Sequence, residues 1–390
     1  MTRDRSLIND LGIFRTLIVL GFLSAFLSGA GLSAKPTGKM MLTPEEAQDG
    51  WVSLFDGESL FGWDVFGDGD WQVADGNIVC EEGRGGWLAS SAQFADFELL
   101  AKVRVAEGLT SALVVRAGLE GHPGENGTGV VPLTAVAGEP QWREVRVVAQ
   151  GDSVRARVGQ GSVWVTAARK VGHIGFHLHT YSRKPRNRVE VAWIKLRPLG
   201  LQSIFNGNDL SEWNVLPGRK SKFAVIDGAL NIKNGVGQIE TAGVYKDFVL
   251  QLDVFSNGKQ LNSGVFFRGT VGRFWHGYES QVRNHWDGDD RNRPVDFGTG
   301  GNYGNQPARR VVSSDHEWFR KTIICNGGHT SVWVNGYLTS DYLDMRPPSA
   351  KSDGKRGYIP GPGTIHLQGH DPKTDLSFKN IRIAEYHAGH

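Results

Sequence analysis

The 390-residue sequence has only two cysteines, Cys80 and Cys325, and they stand in different halves of the chain. Two such distant thiols exclude a disulfide framework, a multi-cysteine zinc site and a redox pair; each lies in an apolar, strand-like run, so buried thiols are expected. Charge of one sign is also lacking. Lys and Arg total 43 against 41 Asp and Glu, a net +2, which leaves no field to hold a nucleic acid or an acidic membrane surface. Beyond residue 34 no apolar run is long enough to cross a bilayer, and no integral membrane domain is expected there. Hydrolase signatures are missing as well: no G-x-S-x-G elbow, no H-E-x-x-H helix, and no strand with the closely spaced acidic pair of many sandwich-fold glycosidases. Asp287, Asp289 and Asp290 lack the spacing and turn glycine of a calcium loop and read as a solvated turn. The "NGT" sequon at Asn126 has little weight.

Glycine, by contrast, is abundant at 52 residues, well above the usual ~7%. It accompanies short runs of Val, Ile, Phe and Trp broken by Asp-Gly and Asn-Gly pairs, as in "VADGNI" and "WVNGYL", which tolerate the positive φ of tight hairpins. No long helical period competes. The pattern predicts an all-β sandwich architecture, with one short helix in "TPEEAQDGW" capped by Thr43. At the N-terminus, Arg3, Arg5 and Arg15 precede an uncharged stretch from Thr16 to Ala34 that ends in small residues. It reads as an export signal cleaved after Ala30 or Ala34, with an uncleaved anchor as the competing reading, and places the mature protein in the periplasm or outside the cell.

The chain is a tandem duplication. "SLFDGESLFGWDV" at Ser53 returns as "SIFNGNDLSEWNV" at Ser203, "TSALVVRAG" aligns with "NSGVFFRGT", and "GHIGFHLH" with "GTIHLQGH". The boundaries follow: residues 1–34 leader, 35–50 linker with the short helix, 51–199 a divergent first module, 200–390 a second module. Between Arg268 and Trp318 the second copy carries about two dozen residues more than the first has between Arg116 and Trp142. That insert holds "HGYESQVRN" and the Gly-rich "HWDGDDRNRPVDFGTGGNYGNQP", the composition of loops over binding sites.

On a strand, Glu279, Gln281 and Arg283 share one face. They read either as a solvated outer face or, with Phe274, Trp275, Tyr278 and Trp286 beside them, as the wall of a cleft. His370 in "LQGHD" sits at a strand end, where an ordinary hydrogen-bonded histidine is the commoner case; His179 aligns with it. Arg268 aligns with Arg116, and a repeated arginine reads as structural.

The second module, from about Gln202 to Tyr386, resembles the 3-keto-disaccharide hydrolase domain family, a concanavalin A-like jelly roll. The resemblance rests on "FNGNDLSEW", "DGAL", "YKDFVLQLDV", "NSGVFFRG", "GYESQ", "GGNYG", "VWVNG", "HLQGHD" and "FKNIRI" in that order. The first module, Trp51 to Pro198, resembles a divergent copy that has lost "GYE-x-Q". In the second, "EWFRK" replaces the family's Glu-Trp-Asn, a difference read as a surface or rim contact. The resemblance implies two concanavalin A-like or laminin G-like jelly rolls and a reaction, cleavage of the glycosidic bond of a 3-keto-sugar. It also implies Glu279 and His370 as shared acid and base, and Asn262, Arg268, Gln281, Tyr303 and Gln368 as substrate-binding residues. A divalent cation held by Glu279 and His370 is an open alternative, as is a non-catalytic carbohydrate-binding or adhesion protein.

Overall fold

The computed structural model describes residues 42–81, 86–106, 109, 111–120, 127–133, 141–178 and 188–386. The leader, the Asn126 sequon and His179 lie outside the described residues. Thr43 caps the short helix Pro44–Gln48 by accepting from the Glu46 amide, and the Glu46 carboxylate accepts from the Thr43 amide in return. Among the described residues no helix is long and apolar enough to cross a membrane.

All the rest of the regular structure is antiparallel β, in two jelly-roll sandwiches of one eight-stranded and one five-stranded sheet each. The duplication is exact at the level of strand order. The five-stranded sheet of the first sandwich runs Trp63–Gly67, Gly86–Phe94, Gly172–Leu178, Ser111–Ala117, Gly129–Pro132. In the second it runs Trp213–Val215, Gly237–Thr241, Thr364–Gly369, Ser263–Gly269, Tyr278–Val282. The expected hairpins form where Asp75-Gly76, Asp227-Gly228 and Asn335-Gly336 take positive φ at both turn positions. Alternation then sends one face of each strand inward. In the second sandwich Ile239, Val265, Phe267, Tyr278, Val282, Ile365 and Leu367 enter the core, which leaves Gln238, Glu240, Gly264, Phe266, Glu279, Gln281, His366 and Gln368 on the outer face.

The two sandwiches pack on one another. Val249, Ile324, Trp333 and Leu338 of the second copy join the hydrophobic cluster of the first, and Trp333 donates its indole proton to the Ser53 carbonyl at 3.0 Å. Arg309 pairs with Asp56 at 2.9 Å, and Ser91 donates to Asp341 at 2.6 Å. A cleft of about 620 Å³ remains between them, walled by Asp96, Lys170, Gln202, Tyr245 and Glu385. Cys80 and Cys325 are both buried, in separate sandwiches, and burial pushes the Cys80 thiol up to about 12.

The repeated arginines have the same job twice. Arg116 donates to the carbonyls of Ala95 and Gly151 and to Asp96, while Arg268 donates to those of Lys246, Gly327 and Ile359 and to Asp247. Each takes a positive φ at a bulge, and each is closed in by a glycine, Gly172 or Gly363, whose Cβ would strike the arginine backbone. The substrate-binding role assigned to Arg268 is therefore corrected: its donors are spent on sandwich-end carbonyls and a carboxylate, and none turns to the outer face. Arg268→Met and Arg116→Met should each lower unfolding stability by about 3 kcal/mol, because either change strands buried acceptors and a carboxylate. Denaturant titration measures this; an Arg268→Met protein of undiminished stability that had lost sugar binding would restore the substrate role.

Candidate functional site

The outer face of the second five-stranded sheet carries two cross-strand rows. One runs Glu240, His366, Phe266, Glu279 and the next pairs Gln238 with Gln368 and Gly264 with Gln281. At the matching positions the first sandwich has Ala89, Gly175, Val114, Val130, then Trp87, His177, Ala112, Pro132. There Trp87 stacks on Phe66 with ring centroids 5.3 Å apart and lies over Gly175, making an apolar cluster with Ala89, Val114 and Ala117. One copy has a polar face and the other a filled one.

Two loops roof the polar face. The amides of Gly272 and Trp275 donate to the Glu240 carboxylate and the Gln238 Oε1 at 3.0 and 2.9 Å. On the other side Asp296, in the Gly-rich insert, draws three side chains together: its carboxylate accepts from Arg283 at 2.7 Å, Asn262 at 3.1 Å and Gln281 at 3.3 Å. Tyr303 donates its amide to the Glu279 carbonyl and packs edge-on against Phe297, with Lys355 4.5 Å over its ring. Asn262, Gln281, Glu279 and Tyr303 are thus brought together, as the sequence suggested. Gln368 lies on the same face, next to Gln238. Several buried polar atoms here have no partner: Gln238 Nε2, Gln368 Oε1, Asn262 Oδ1 and Arg283 Nε. Unpaired donors and acceptors on one buried surface suit the hydroxyls of a ligand, because leaving each unmade costs about 1–3 kcal/mol.

Glu279 is the centre of this face. Its carboxylate lies flat over Gly264, where a Cβ would collide with Oε1. Burial pushes it up to about 8, with Asp296 adding to the rise while Lys355 and Lys321 oppose it. Lys321 was not singled out in the sequence. The "EWFRK" departure from Glu-Trp-Asn falls on Phe319, which is in the core and not at a rim, and two residues on Lys321 also points inward from the Trp318–Asn326 strand, fully buried under the Tyr278–Val282 strand. Its ammonium donates to the carbonyls of Ser280 at 3.1 Å and Gln281 at 2.8 Å. Burial lowers it to about 7, against the pull of Glu279. Glu279 and Lys321 therefore flank one strand from opposite faces. The missed signal was the alignment of the copies, which sets Val145 against Lys321 at an inward position.

His370 is placed differently from what was expected. It follows Gly369 at the strand end, 40% exposed, with Nδ1 3.3 Å from Asp371. That is four residues, about 13 Å, along the strand from the row of Glu279 and two strands across. The imidazole in that row is His366, fully buried, 2.6 Å from the Thr364 hydroxyl and 3.3 Å from Glu240, and lowered to about 4 by burial. Glu279 and His370 do not converge as a ligand pair, and among the described residues no group of three His, Cys, Asp or Glu side chains could hold a metal ion. The cleft aromatics are also corrected. Tyr278 is in the core with its hydroxyl donating to Asp344 at 2.8 Å, Trp286 stacks on Arg291, Phe274 on Arg219, and only Trp275 stays open at 47% exposure.

The family model described as the 3-keto-alpha-glucoside-1,2-lyase-like domain matches residues 50–188 and 200–384. No curated protein matches the sequence. Two solved structures of proteins from Parabacteroides distasonis, described as candidate glycosyl hydrolases, are similar at 22% and 25% identity with TM-scores of 0.40 and 0.38. They cover 48% and 49% of this chain and 94% and 85% of their own. A carbohydrate-binding module from Bacillus subtilis is similar at 12% identity, TM-score 0.34, over 45% of this chain and 97% of its own.

Replacing Lys321 by Val, the residue of the first copy, removes a positive charge from beneath Glu279. The Glu279 carboxyl should then titrate at higher pH than in the wild type, which carbon-13 NMR of labelled glutamate reads directly. An unmoved titration would mean that the lysine acts on the backbone alone.

Proposed function

The chain belongs to the 3-keto-alpha-glucoside-1,2-lyase-like domain family, and from that premise we propose that the outer face of its second sandwich cleaves the glycosidic bond of sugars oxidised at carbon 3. Family membership makes the chain carbohydrate-active; the 3-keto substrate is our reading. The observation that carries it is the substitution of Ala89, Gly175, Val114 and Val130 by Glu240, His366, Phe266 and Glu279 across one row of otherwise duplicated sheets.

The chemistry suits a single carboxylate. A 3-keto group acidifies the C2 proton. Glu279 takes that proton, the electron pair of the C–H bond passes into the enolate, and the enolate re-forms the carbonyl as the C1–O bond breaks and the aglycone leaves with a proton. Water then adds across the new C1–C2 double bond. A general base works best with its pKa near the working pH, which burial supplies for Glu279. The unpaired amides of Gln238 and Gln368, with Asn262, Gln281 and Arg283, orient sugar hydroxyls and stabilise the developing oxyanion. Lys355 and Tyr303, stacked on one another, lie close enough to act electrostatically with the carboxylate, and Trp275 offers a stacking surface at the rim. His370, at the far end of the same face, is too distant from Glu279 to serve the oxygen on C1, the atom bonded to C2, and that leaving oxygen takes its proton from water. The basic, apolar leader supports a place of action outside the cytoplasm.

Incubation of the full chain with a 3-keto-glucoside should release the aglycone, and Glu279→Gln should slow release by about 10²–10⁴-fold. Because the base must be ionised, kcat/KM should rise with pH and level off above about 8. Equal turnover by both proteins would remove Glu279 from the reaction. Retention of the sugar with no product from the wild type would make this a binding protein.

A further inference from the structure

The large sheet of the first sandwich presents an outward face apart from the sugar site of the second. In the second sandwich the equivalent face is covered, since Val249, Ile324 and Trp333 are buried against the first copy. In the first, the residues at the positions of Val249 and Trp333 are Glu98 and Arg157. The face is built for water and for charge rather than for another sandwich.

Its cations are interleaved with tryptophans. Cross-strand neighbours run Glu98, Val148, Arg155, Trp164 in one row and Leu100, Arg146, Arg157 in the next. Trp164 is 73% exposed, with the Arg155 guanidinium 4.6 Å from its ring centroid. Trp142 lies beneath Lys102 and Arg104 in the same manner. Glu98 is shared by Arg146 and Arg197, both at 2.6 Å, so that carboxylate is outnumbered. Arg155, Arg157 and Lys102 make no ion pair among the described residues. The near-neutral total charge of the chain hides this local excess. Glu144 faces Lys102 across the strands and Glu190 pairs with Arg104, so the face is mixed with cations in excess, and a bare tryptophan amid such an excess, Trp164, marks an interaction site.

We propose that this face binds an acidic polysaccharide, carboxylated or sulfated, laid across the strands, with Trp164 stacking on a sugar ring and Arg155 and Arg157 pairing with its anionic groups. Arg155 and Arg157 stand two residues apart on one strand, roughly 7 Å, within reach of anionic groups on neighbouring sugars of such a chain. The face is separate from the second sandwich and would feed or tether, not react.

Affinity electrophoresis and calorimetry of the full chain with polygalacturonate, heparin, neutral dextran and duplex DNA test it. The expected result is retention by polygalacturonate or heparin and none by dextran. Binding should fall about tenfold or more, with a shallower salt dependence, in Arg155→Ala/Arg157→Ala, and should fall at unchanged salt dependence in Trp164→Ala. All three positions are solvent-exposed, so equal melting temperatures accompany these losses. No retention by either acidic polysaccharide at low salt, equal retention by dextran, or tighter binding to DNA that Trp164→Ala leaves untouched would each overturn the proposal. Turnover of a 3-keto-glucoside by the same variants stays as in the wild type, which keeps this outcome separate from that of the catalytic reading.

Discussion

A single edge strand, Tyr278–Val282, is held between a carboxyl group on one face and an ammonium on the other, both buried. Neither ionisable group would persist in a sandwich for stability's sake, since taking an ion out of water costs several kcal/mol and apolar side chains fill the same space at no such cost. The first copy demonstrates the cheaper solution, Val130 and Val145 at the two positions. Retaining Glu279 and Lys321 instead sets the rest of the site: Gly264 must stay bare so that the carboxylate can lie over it, and the ammonium must find the Ser280 and Gln281 carbonyls. The Gly-rich insert must also roof the strand through the Asp296 network.

Duplication makes such strain tolerable. The first sandwich keeps the shared skeleton, down to the arginine that laces the sandwich end, while its outer face closes over Trp87 and Phe66. Its core continues into the second through Trp333 and Ile324. A destabilising polar face on one copy is thereby carried by a unit that contains two cores, and strain stored at a functional site is offset elsewhere.

Much of this was legible before any coordinates. Turn pairs, alternation and internal repetition predicted two all-β sandwiches, and the Thr43 cap predicted the helix, because these features depend on neighbours in sequence. Glu279, Gln281, Asn262, Tyr303 and Gln368 were found through short motifs and do share a face or its roof. The errors came from contacts made across sheets. Arg268 looked like a ligand of substrate because its partners, Lys246, Gly327 and Ile359, are remote in sequence. Tyr278 looked like a cleft wall because only strand parity against the core decides its direction. Lys321 was invisible since a lysine in a strand reads as solvent-facing, and His370 was preferred to His366 because a motif marks residues without fixing their row. Row and depth are set by strand register, which short motifs do not encode.

The central claim is that the second sandwich's outer face holds the sugar while the first's cannot. Diffraction from crystals soaked with a 3-keto-glucoside tests it most directly. The account predicts a ring over Glu279, within hydrogen-bond reach of Gln238, Gln281 and Gln368, and empty density over Trp87. A sugar lodged against Trp87 or in the cleft between the sandwiches, with Glu279 untouched, would contradict it.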